Sequence, residues 1–275
     1  MCGRATLITP QTILENRFNA RFAPGVRMAE NVNTSAGNKI PVITMEQPNH
    51  IQLYTMGYTP HWANKQTYML NARCEGSNNP ENDTAYMGAL GIFSKPMFRH
   101  AIKSQRCLVL VDGFIEGPKA EKLNKPYLVY PNRERGPFTL AGIYDTWQNP
   151  LTGELHHTVA IITSAANRLM ERIGHHRAPV ILSKTNEERW LNKDLSVAEL
   201  TRMMQPFDAK GFNAYPISQK IKNPNANGLE LLKPVGEKIY KDYNRCLYER
   251  LKFAEDDQFA IREERLVEGD QLVLF

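Results

Sequence analysis

Short apolar runs separated by turn-forming residues are the feature that most constrains the fold of this chain. The run Cys107–Val111 ends at Asp112-Gly113, which predicts a buried strand that enters a turn. Thr158–Thr163 is a second such run, and Asn, Gly and Pro break residues 38–71 into further short strands. Ser196 is a typical N-cap and predicts one of the helices between the strands. Because strands and helices mix without the regular alternation of a doubly wound sheet, we predict an α+β fold.

The pattern predicts one domain and an extension. We expect a single domain at residues 2–234, with a β-rich, barrel-like mixed-sheet core and peripheral helices. Within it, the strands Tyr127–Tyr130 and Phe138–Tyr144 are predicted to pair with each other. Helical spacing continues through Leu229–Lys252, so residues 235–275 are predicted to form a C-terminal helical, partly acidic extension.

The net charge of +5 is unevenly distributed along the 275 residues. Residues 253–270 hold seven acidic residues against two basic ones, a net charge of −5, so the rest of the chain carries +10. A basic body with an acidic tail is compatible with binding to phosphate groups, although many basic proteins bind no nucleic acid.

Several classes of protein are disfavoured by what the sequence lacks. No apolar run approaches the roughly 20 residues that cross a bilayer, and the N-terminus has no signal-peptide pattern, so we expect a cytoplasmic protein without a membrane partner. The four cysteines form no Cys-x-x-Cys pair, which argues against zinc, haem attachment and a disulfide framework. The histidine pairs at 156–157 and 175–176 are adjacent and lack a metal-binding spacing. We therefore expect no metal and no cofactor.

Cys2 is the first candidate for chemistry, because it follows Met1 and has a side chain small enough for methionine removal. The α-amine thus exposed would have a pKa of about 7.7–8.0, against about 10.4 for lysine, so a useful fraction is nucleophilic near neutral pH. Amine and thiol lie on neighbouring carbons, and together they convert an aldehyde into a five-membered thiazolidine. The alternative is that residue 2 is a cysteine without a role.

Three further segments carry polar groups suited to catalysis or phosphate binding. In an extended chain Asn71, Arg73 and Glu75 share one face, where they could orient a sugar and bind a phosphate, or form a solvated Arg–Glu pair. Glu116 follows an apolar run, and apolar surroundings favour the protonated form that a general acid needs; the alternative is an exposed loop carboxylate. His175 precedes another apolar run and is either a proton carrier near neutral pH or half of a surface histidine pair.

The order of these motifs resembles the SOS-response-associated peptidase family, also called abasic-site processing proteins, in its bacterial branch. The resemblance covers roughly residues 2–228. It rests on Met1-Cys2-Gly3-Arg4, Asn33, Gly57-Tyr58-Thr59-Pro60-His61-Trp62-Ala63, Asn71-Ala72-Arg73 with Glu75, Lys95-Pro96-Met97-Phe98-Arg99, Asp112-Gly113-Phe114 with Glu116, Leu140-Ala141-Gly142-Ile143-Tyr144, Thr163-Ser164-Ala165-Ala166-Asn167, His175 with Arg177 and Pro179, and Asn223-Pro224.

The resemblance implies an enzyme that crosslinks itself to abasic sites in single-stranded DNA, shielding the lesion in the DNA damage response. It implies that Cys2 is the nucleophile, that Asn71 orients the sugar or the amine, that Glu116 is the acid/base, and that His175 assists proton transfer. The DNA-binding residues that it implies are Arg4, Asn33, Trp62, Arg73, Ser164 and Arg177. The expected location is the cytoplasm, at the nucleoid when bound to DNA.

Four positions depart from the family pattern. Gly117 stands where the family usually has Trp, Ala178 where it has Met, and Ala36 where it has Pro. In addition, Gly174 is an extra residue before His175, although the His-x-Arg-x-Pro spacing still favours His175 over His176 as the working histidine.

Two other functions remain open at this point. The first is a cysteine-type (auto)peptidase that uses Cys2 as nucleophile, for which removal of Met1 could be the only reaction. The second is a nucleic-acid-binding module without catalysis, which would bind intact and abasic strands alike.

Overall fold

The apolar run at 107–111 forms the strand around which the rest of the chain is arranged. A computed structural model describes residues 3–86, 88, 90–132 and 136–254 and confirms an α+β fold with a barrel-like core. Its strands are β1 (Ala5–Leu7), β2 (Arg21–Phe22), β3 (Asn31–Thr34), β4 (Lys39–Thr44), β5 (His50–Met56), β6 (Asn71–Arg73), β7 (Arg106–Val111), β8 (Gly113–Glu116), β9 (Tyr127–Pro131), β10 (Phe138–Gln148), β11 (Leu155–Ala165), β12 (Arg177–Pro179), β13 (Ile181–Leu182) and β14 (Phe212–Pro216). Its α-helices are α1 (Gln11–Phe18), α2 (Ala101–Ser104), α3 (Arg168–Ile173), α4 (Lys184–Leu191) and α5 (Val197–Met203).

Strands β4, β5, β7, β10 and β11 close into a barrel. β7 pairs with β4 and β10, β4 with β5, and β10 with β11, and parallel pairing of β11 with β5 completes the ring. Along β7, Cys107 and Val109 pack in one apolar cluster with side chains from all the other barrel strands, while Leu108 and Leu110 pack in another with the helices. Both faces of β7 are buried, which explains its continuous apolar run.

A second, antiparallel sheet has the strand order β3–β1–β8–β9–β14. Its side chains alternate between two clusters, with Phe114 and Val129 on the barrel side and Ile115 and Leu128 on the other. The predicted pairing of Tyr127–Tyr130 with Phe138–Tyr144 is therefore wrong. Both segments are strands, β9 and β10, but the chain passes from one sheet to the other between them.

The C-terminal segment covers the outer face of this second sheet. Val235 N donates to Pro216 O (2.9 Å) and Ile239 N to Ala214 O (2.8 Å), so the segment adds backbone hydrogen bonds to the edge strand β14. The helices predicted across Leu229–Lys252 are only partly present, because residues 233–246 are not helical. Pro234 disfavours helical backbone at Lys233, where a short 3₁₀ turn ends.

Residues 247–254 are helical, and Leu247 is buried in the cluster under the sheet. The rest of the predicted extension, residues 255–275, lies outside the described residues.

Helix caps follow local sequence signals. The Ser196 side chain accepts from Glu199 N while the Glu199 side chain accepts from Ser196 N, a complete capping box at the start of α5, as predicted for Ser196. Among the described residues no helix is long and apolar enough to cross a membrane.

Arg106 joins two helices to the barrel. Its side chain is fully buried, and the guanidinium donates to carbonyl oxygens of Ile102 and Lys103 in α2 and of Trp190 and Asn192 at the end of α4. Burial lowers the pKa of Arg106 to about 10, so the group remains charged at neutral pH. A cation that satisfies the last carbonyls of two helices stabilises both of their C-termini.

Replacing Arg106 with Met should lower the free energy of unfolding by at least about 3 kcal/mol, because several buried carbonyls lose a charged donor. Arg21→Met is the matched control, since Arg21 is largely exposed and lies 3.6 Å from Glu15. We expect the control to be close to wild type in urea denaturation. Equal midpoints for the two variants would contradict this account of Arg106.

Candidate active site

The start of the described chain runs into a pocket beside Glu116. Strand β1 pairs antiparallel with β8, with Ala5 opposite Phe114, and Ile115 N donates to Arg4 O (3.0 Å). Continuing this register places Gly3 beside Glu116. Gly3, Glu116 and His175 line one pocket of about 850 Å³. Cys2, the predicted nucleophile, lies outside the described residues, but it is bonded to Gly3, and consecutive Cα atoms are about 3.8 Å apart.

Glu116 and His175 form a buried pair at the wall of this pocket. Glu116 is the last residue of β8, and its Oε2 lies 3.4 Å from His175 Nε2. Both residues are about 5% exposed, so neither is the exposed loop group that the sequence left open as an alternative. His175, not His176, contacts Glu116, in agreement with the His-x-Arg-x-Pro spacing.

The other ring nitrogen of His175 is held by backbone. Its Nδ1 lies 2.8 Å from Arg177 O and 3.3 Å from Arg177 N, and the shorter contact assigns Nδ1 as the donor. Nε2 of the neutral ring then carries a lone pair and faces Glu116. Burial lowers the pKa of His175 to about 4, and the hydrogen bond to Arg177 O opposes this shift, so the imidazole is neutral near pH 7.

Two glycines shape the segments that hold the pair. Gly174 has φ +83° and ends α3, donating to Glu171 O, so the extra residue before His175 is the left-handed cap of this helix. At Gly117 a Cβ atom would overlap the carbonyl oxygen of Lys122. The family's Trp at this position is therefore incompatible with the present path of residues 118–125.

The pocket is lined by several basic side chains. Arg4, Lys119, Lys122 and Lys222 line it together with the acidic Glu121. Lys119 N donates to Gly174 O (2.9 Å), which ties the basic segment 118–125 to the loop that carries His175. Cations that line a pocket favour an anionic ligand such as a phosphodiester.

Asn71 and Arg73 project from one face of β6. This strand pairs with β11, with Asn71 opposite Ile161 and Arg73 opposite Thr163, while Ala72 between them is buried in the helix-side cluster. The predicted shared face of Asn71 and Arg73 is thus present. Arg73 is partly exposed and donates to Asn79 O.

Glu75 does not continue that face, because the strand ends at Arg73 and Glu75 lies in a turn. Its carboxylate receives two hydrogen bonds from Arg177, at 2.9 and 2.8 Å, and Oε2 also lies 3.8 Å from Arg73 Nε, so an Arg73–Glu75 pair is present as well. Glu75 and Arg177 are both about 4% exposed. Arg177 also donates to Thr163 O (2.8 Å). The pair connects β6, β11 and β12 and fixes the backbone that orients His175.

The residues expected to bind DNA fall into two groups. Arg4 lines the pocket, Trp62 is 55% exposed, and Arg73 is partly exposed. Asn33, Ser164 and Arg177 are buried and bonded within the protein, a geometry that does not favour the direct DNA contact expected for them.

Asn33 has a clear internal role. It accepts from the Arg4 guanidinium (2.5 Å) and donates to the carbonyl oxygens of Asn223 and Ala226. Asn33 therefore holds Arg4 at the pocket.

The described cysteines have no reactive surroundings. Cys74, Cys107 and Cys246 are buried free thiols, and burial raises the pKa of each. A thiol with a raised pKa is a poor nucleophile. Within the part of the chain that the structure describes, no three His, Cys, Asp or Glu side chains cluster as metal ligands.

The sequence motifs did not point to the lysines of this pocket. Lys119 and Lys122 follow Glu116 closely, so a basic segment just after the acid/base motif was a usable signal. Lys222 is distant in sequence and reaches the pocket through long-range contacts, with its carbonyl accepting from Arg4 (3.0 Å). No local sequence pattern predicts that a residue so distant in sequence lines the pocket.

His175 should make the protein less stable in mild acid. The pKa of His175 is about 6.5 in the unfolded chain and about 4 in the folded protein. Between pH 6.5 and pH 4 the imidazole is therefore protonated in the unfolded chain but not in the folded protein. From pH 7 to pH 4.5 this costs about 2–3 kcal/mol of unfolding free energy. Urea denaturation should show wild type losing that much more stability than His175→Gln, and parallel losses would contradict the lowered pKa.

Glu75→Gln should lower the free energy of unfolding by about 3–5 kcal/mol, because it leaves the Arg177 charge buried without its partner. Replacing both residues, as Glu75→Gln with Arg177→Met, should cost less than Glu75→Gln alone. The exposed pair Glu237–Lys241 (3.7 Å) is the control, and Glu237→Gln should be close to wild type. Strictly additive losses in the double variant would argue against a coupled pair.

Comparison with known proteins identifies the family. The model of the family described as SOS response associated peptidase (SRAP) matches residues 1–224. The Bacillus subtilis protein named abasic site processing protein YoqW is 31% identical, covering 84% of this chain and 99% of the relative. YoaM, an abasic site processing protein from the same species, is 30% identical over 84% of this chain and 97% of its own length.

A crystal structure from Bacteroides thetaiotaomicron has the same fold. It is 29% identical, superposes with a TM-score of 0.71, and the match covers 85% of this chain and 100% of that protein. The predicted resemblance is confirmed, and the chain belongs to the SOS response associated peptidase family.

Proposed function

We propose that this protein captures abasic sites in single-stranded DNA through a covalent thiazolidine at Cys2. The observation that carries the proposal is the register of β1 on β8, since Gly3 shares a pocket with Glu116 and His175. The relatives are named abasic site processing proteins, which supports DNA with abasic sites as the substrate. The expected site of action is the cytoplasm, at the nucleoid when the protein is bound to DNA.

The reaction balances with the loss of one water. After removal of Met1, the neutral amine of Cys2 attacks the aldehyde of the ring-opened sugar, and loss of water gives an imine. The Cys2 thiol then adds to the imine carbon, and its proton passes to the nitrogen. Closing the ring removes the imine, which would otherwise promote β-elimination and strand cleavage.

The Glu116–His175 pair is suited to moving the protons in these steps. With Nδ1 of His175 donating to backbone, Nε2 faces a carboxyl oxygen at 3.4 Å, and a proton on either atom would join them. The pair would donate a proton when the sugar opens and when water leaves, and would accept one when the amine attacks. Asn71 would orient the sugar or the Cys2 amine.

DNA binding would use the exposed members of the predicted set. Arg4 and Arg73 would contact phosphates, with help from the pocket lysines, and Trp62 would stack on a base. Asn33, Ser164 and Arg177 would support these groups from inside the protein. Because phosphate contacts release counterions, we expect affinity to fall steeply with salt and to depend little on sequence.

One observation favours a second activity, an autopeptidase. The family is described as a peptidase, and a Cys2 thiol next to Glu116 could assist removal of Met1. If so, protein made with Glu116→Gln should keep Met1, which intact-protein mass would reveal. A Glu116→Gln protein that lacks Met1 would assign that cleavage to the cell's methionine aminopeptidase.

Crosslinking to an abasic single strand tests the main proposal. Wild type should form a species that survives a denaturing gel, and Cys2→Ala should form none. Cys2→Ser keeps the amine but not the sulphur, so it should give strand cleavage in place of a stable crosslink. Glu116→Gln should slow the reaction by about 10²–10⁴-fold, the usual contribution of general acid–base catalysis.

Cys246→Ala is the matched control, because Cys246 is a buried thiol outside the pocket, and it should crosslink like wild type. A crosslink that persists in Cys2→Ala would exclude the Cys2 thiol from the linkage and with it the thiazolidine. Equal binding of intact and abasic strands without any crosslink would indicate a binding module only.

A further inference from the structure

The segment between β5 and β6, residues 57–70, exposes aromatic and apolar side chains just before Asn71. Trp62 is 55% exposed, Tyr68 45% and Met69 39%, and Lys65 is exposed as well. No acidic residue occurs from Gly57 to Arg73. Exposed rings combined with positive charge and without acids are typical of surfaces that bind single-stranded nucleic acid.

Buried groups hold this segment in place. Asp145 is 3% exposed and accepts from both the backbone N and the Nδ1 of His61, each at 2.9 Å. The indole of Trp147 donates to Ala63 O (2.6 Å). Both neighbours of Trp62 are thus fixed, so the exposed ring between them belongs to an anchored segment.

Tyr68 lies in the left-handed region of backbone space, with φ +47°. This conformation is unfavourable for an aromatic residue and persists only where the surroundings enforce it. Here Tyr58 and Met69 exchange two backbone hydrogen bonds of 2.9 Å, and Thr67 N donates to Thr59 Oγ1 (3.1 Å). Hydrogen bonds therefore fix the backbone on both sides of Tyr68, and in this conformation its ring is exposed.

The position of Tyr68 relates this surface to the start of the chain. Tyr68 precedes Asn71 by three residues, and its ring lies close to Gly37, in the turn after β3. β3 pairs with β1, the strand that follows Arg4, with Thr34 opposite Ala5. The ring thus lies against the turn that adjoins the start of the chain, three residues before Asn71.

We infer that Tyr68 is a stacking platform for a nucleobase that adjoins the abasic site, in addition to Trp62. A nucleotide is the occupant that fits this surface. The flat face of its base can stack on an exposed ring, and its phosphate can pair with a cation such as Lys65. The inference rests on the proposed function and adds a specificity element: the protein would require an unpaired base next to the lesion.

Binding of a single strand that carries a tetrahydrofuran abasic analogue, with 2-aminopurine at the neighbouring positions, tests this role. Tyr68→Leu should bind roughly 5- to 150-fold more weakly, the range for loss of one base–aromatic stack, and should lose quenching of the fluorescent base. Tyr68→Phe should behave like wild type. Tyr243→Leu, at a fully exposed tyrosine on the C-terminal segment, is the matched control and should leave affinity unchanged.

Tyr68→Asn separates strain from stacking. Asn tolerates the left-handed conformation, so this variant should unfold at a higher urea concentration than Tyr68→Leu while binding as weakly. Wild-type affinity in Tyr68→Leu and Tyr68→Asn would overturn the inference.

Adduct formation with free 2-deoxyribose separates this inference from the proposed function. Wild type and all Tyr68 variants should form the adduct equally. Absence of the adduct in wild type would refute the capture chemistry, whereas adducts in every variant with unchanged DNA affinity would refute only the role of Tyr68.

Discussion

The backbone ladder between β1 and β8 is the constraint on which the site depends. β8 ends at Glu116 and β1 begins two residues after Gly3, so antiparallel pairing brings the start of the chain to Glu116. Because register in a two-sided buried sheet is strongly specified, a slip of one residue would turn Phe114 out of the core. The packing that stabilises the second sheet therefore also determines which side chain lies next to the pocket.

Buried polar groups hold His175 in place. His175 is neutral because it is buried, and it is oriented by the carbonyl of Arg177, whose guanidinium is bound to Glu75. Buried charge pairs contribute little net stability, but breaking them is costly, so this pair specifies one arrangement of three strands. Arg177 thus orients the His175 ring through its carbonyl oxygen and joins the strands through its guanidinium.

Local signals in the sequence were sufficient for single elements, and the order of the motifs pointed to two side chains that lie together in the structure. The continuous apolar run of β7 and the Ser196 cap depend on nearby residues, and the selected side chains are Glu116 and His175, which the structure brings into contact. Strand partners and burial depend on distant residues. The sheets of β9 and β10 could not be assigned from their apolar patterns, and the internal role of Asn33 depends on carbonyls about 190 residues away.

The mass of the crosslinked species tests the central claim most directly. The account predicts the mass of the protein without Met1 plus that of the abasic oligonucleotide less one water, with fragment ions that place the sugar on Cys2. A thiazolidine should also be unchanged by borohydride, whereas an imine would gain two hydrogen atoms. An adduct on protein that retains Met1, or a sugar located on any other residue, would contradict the account.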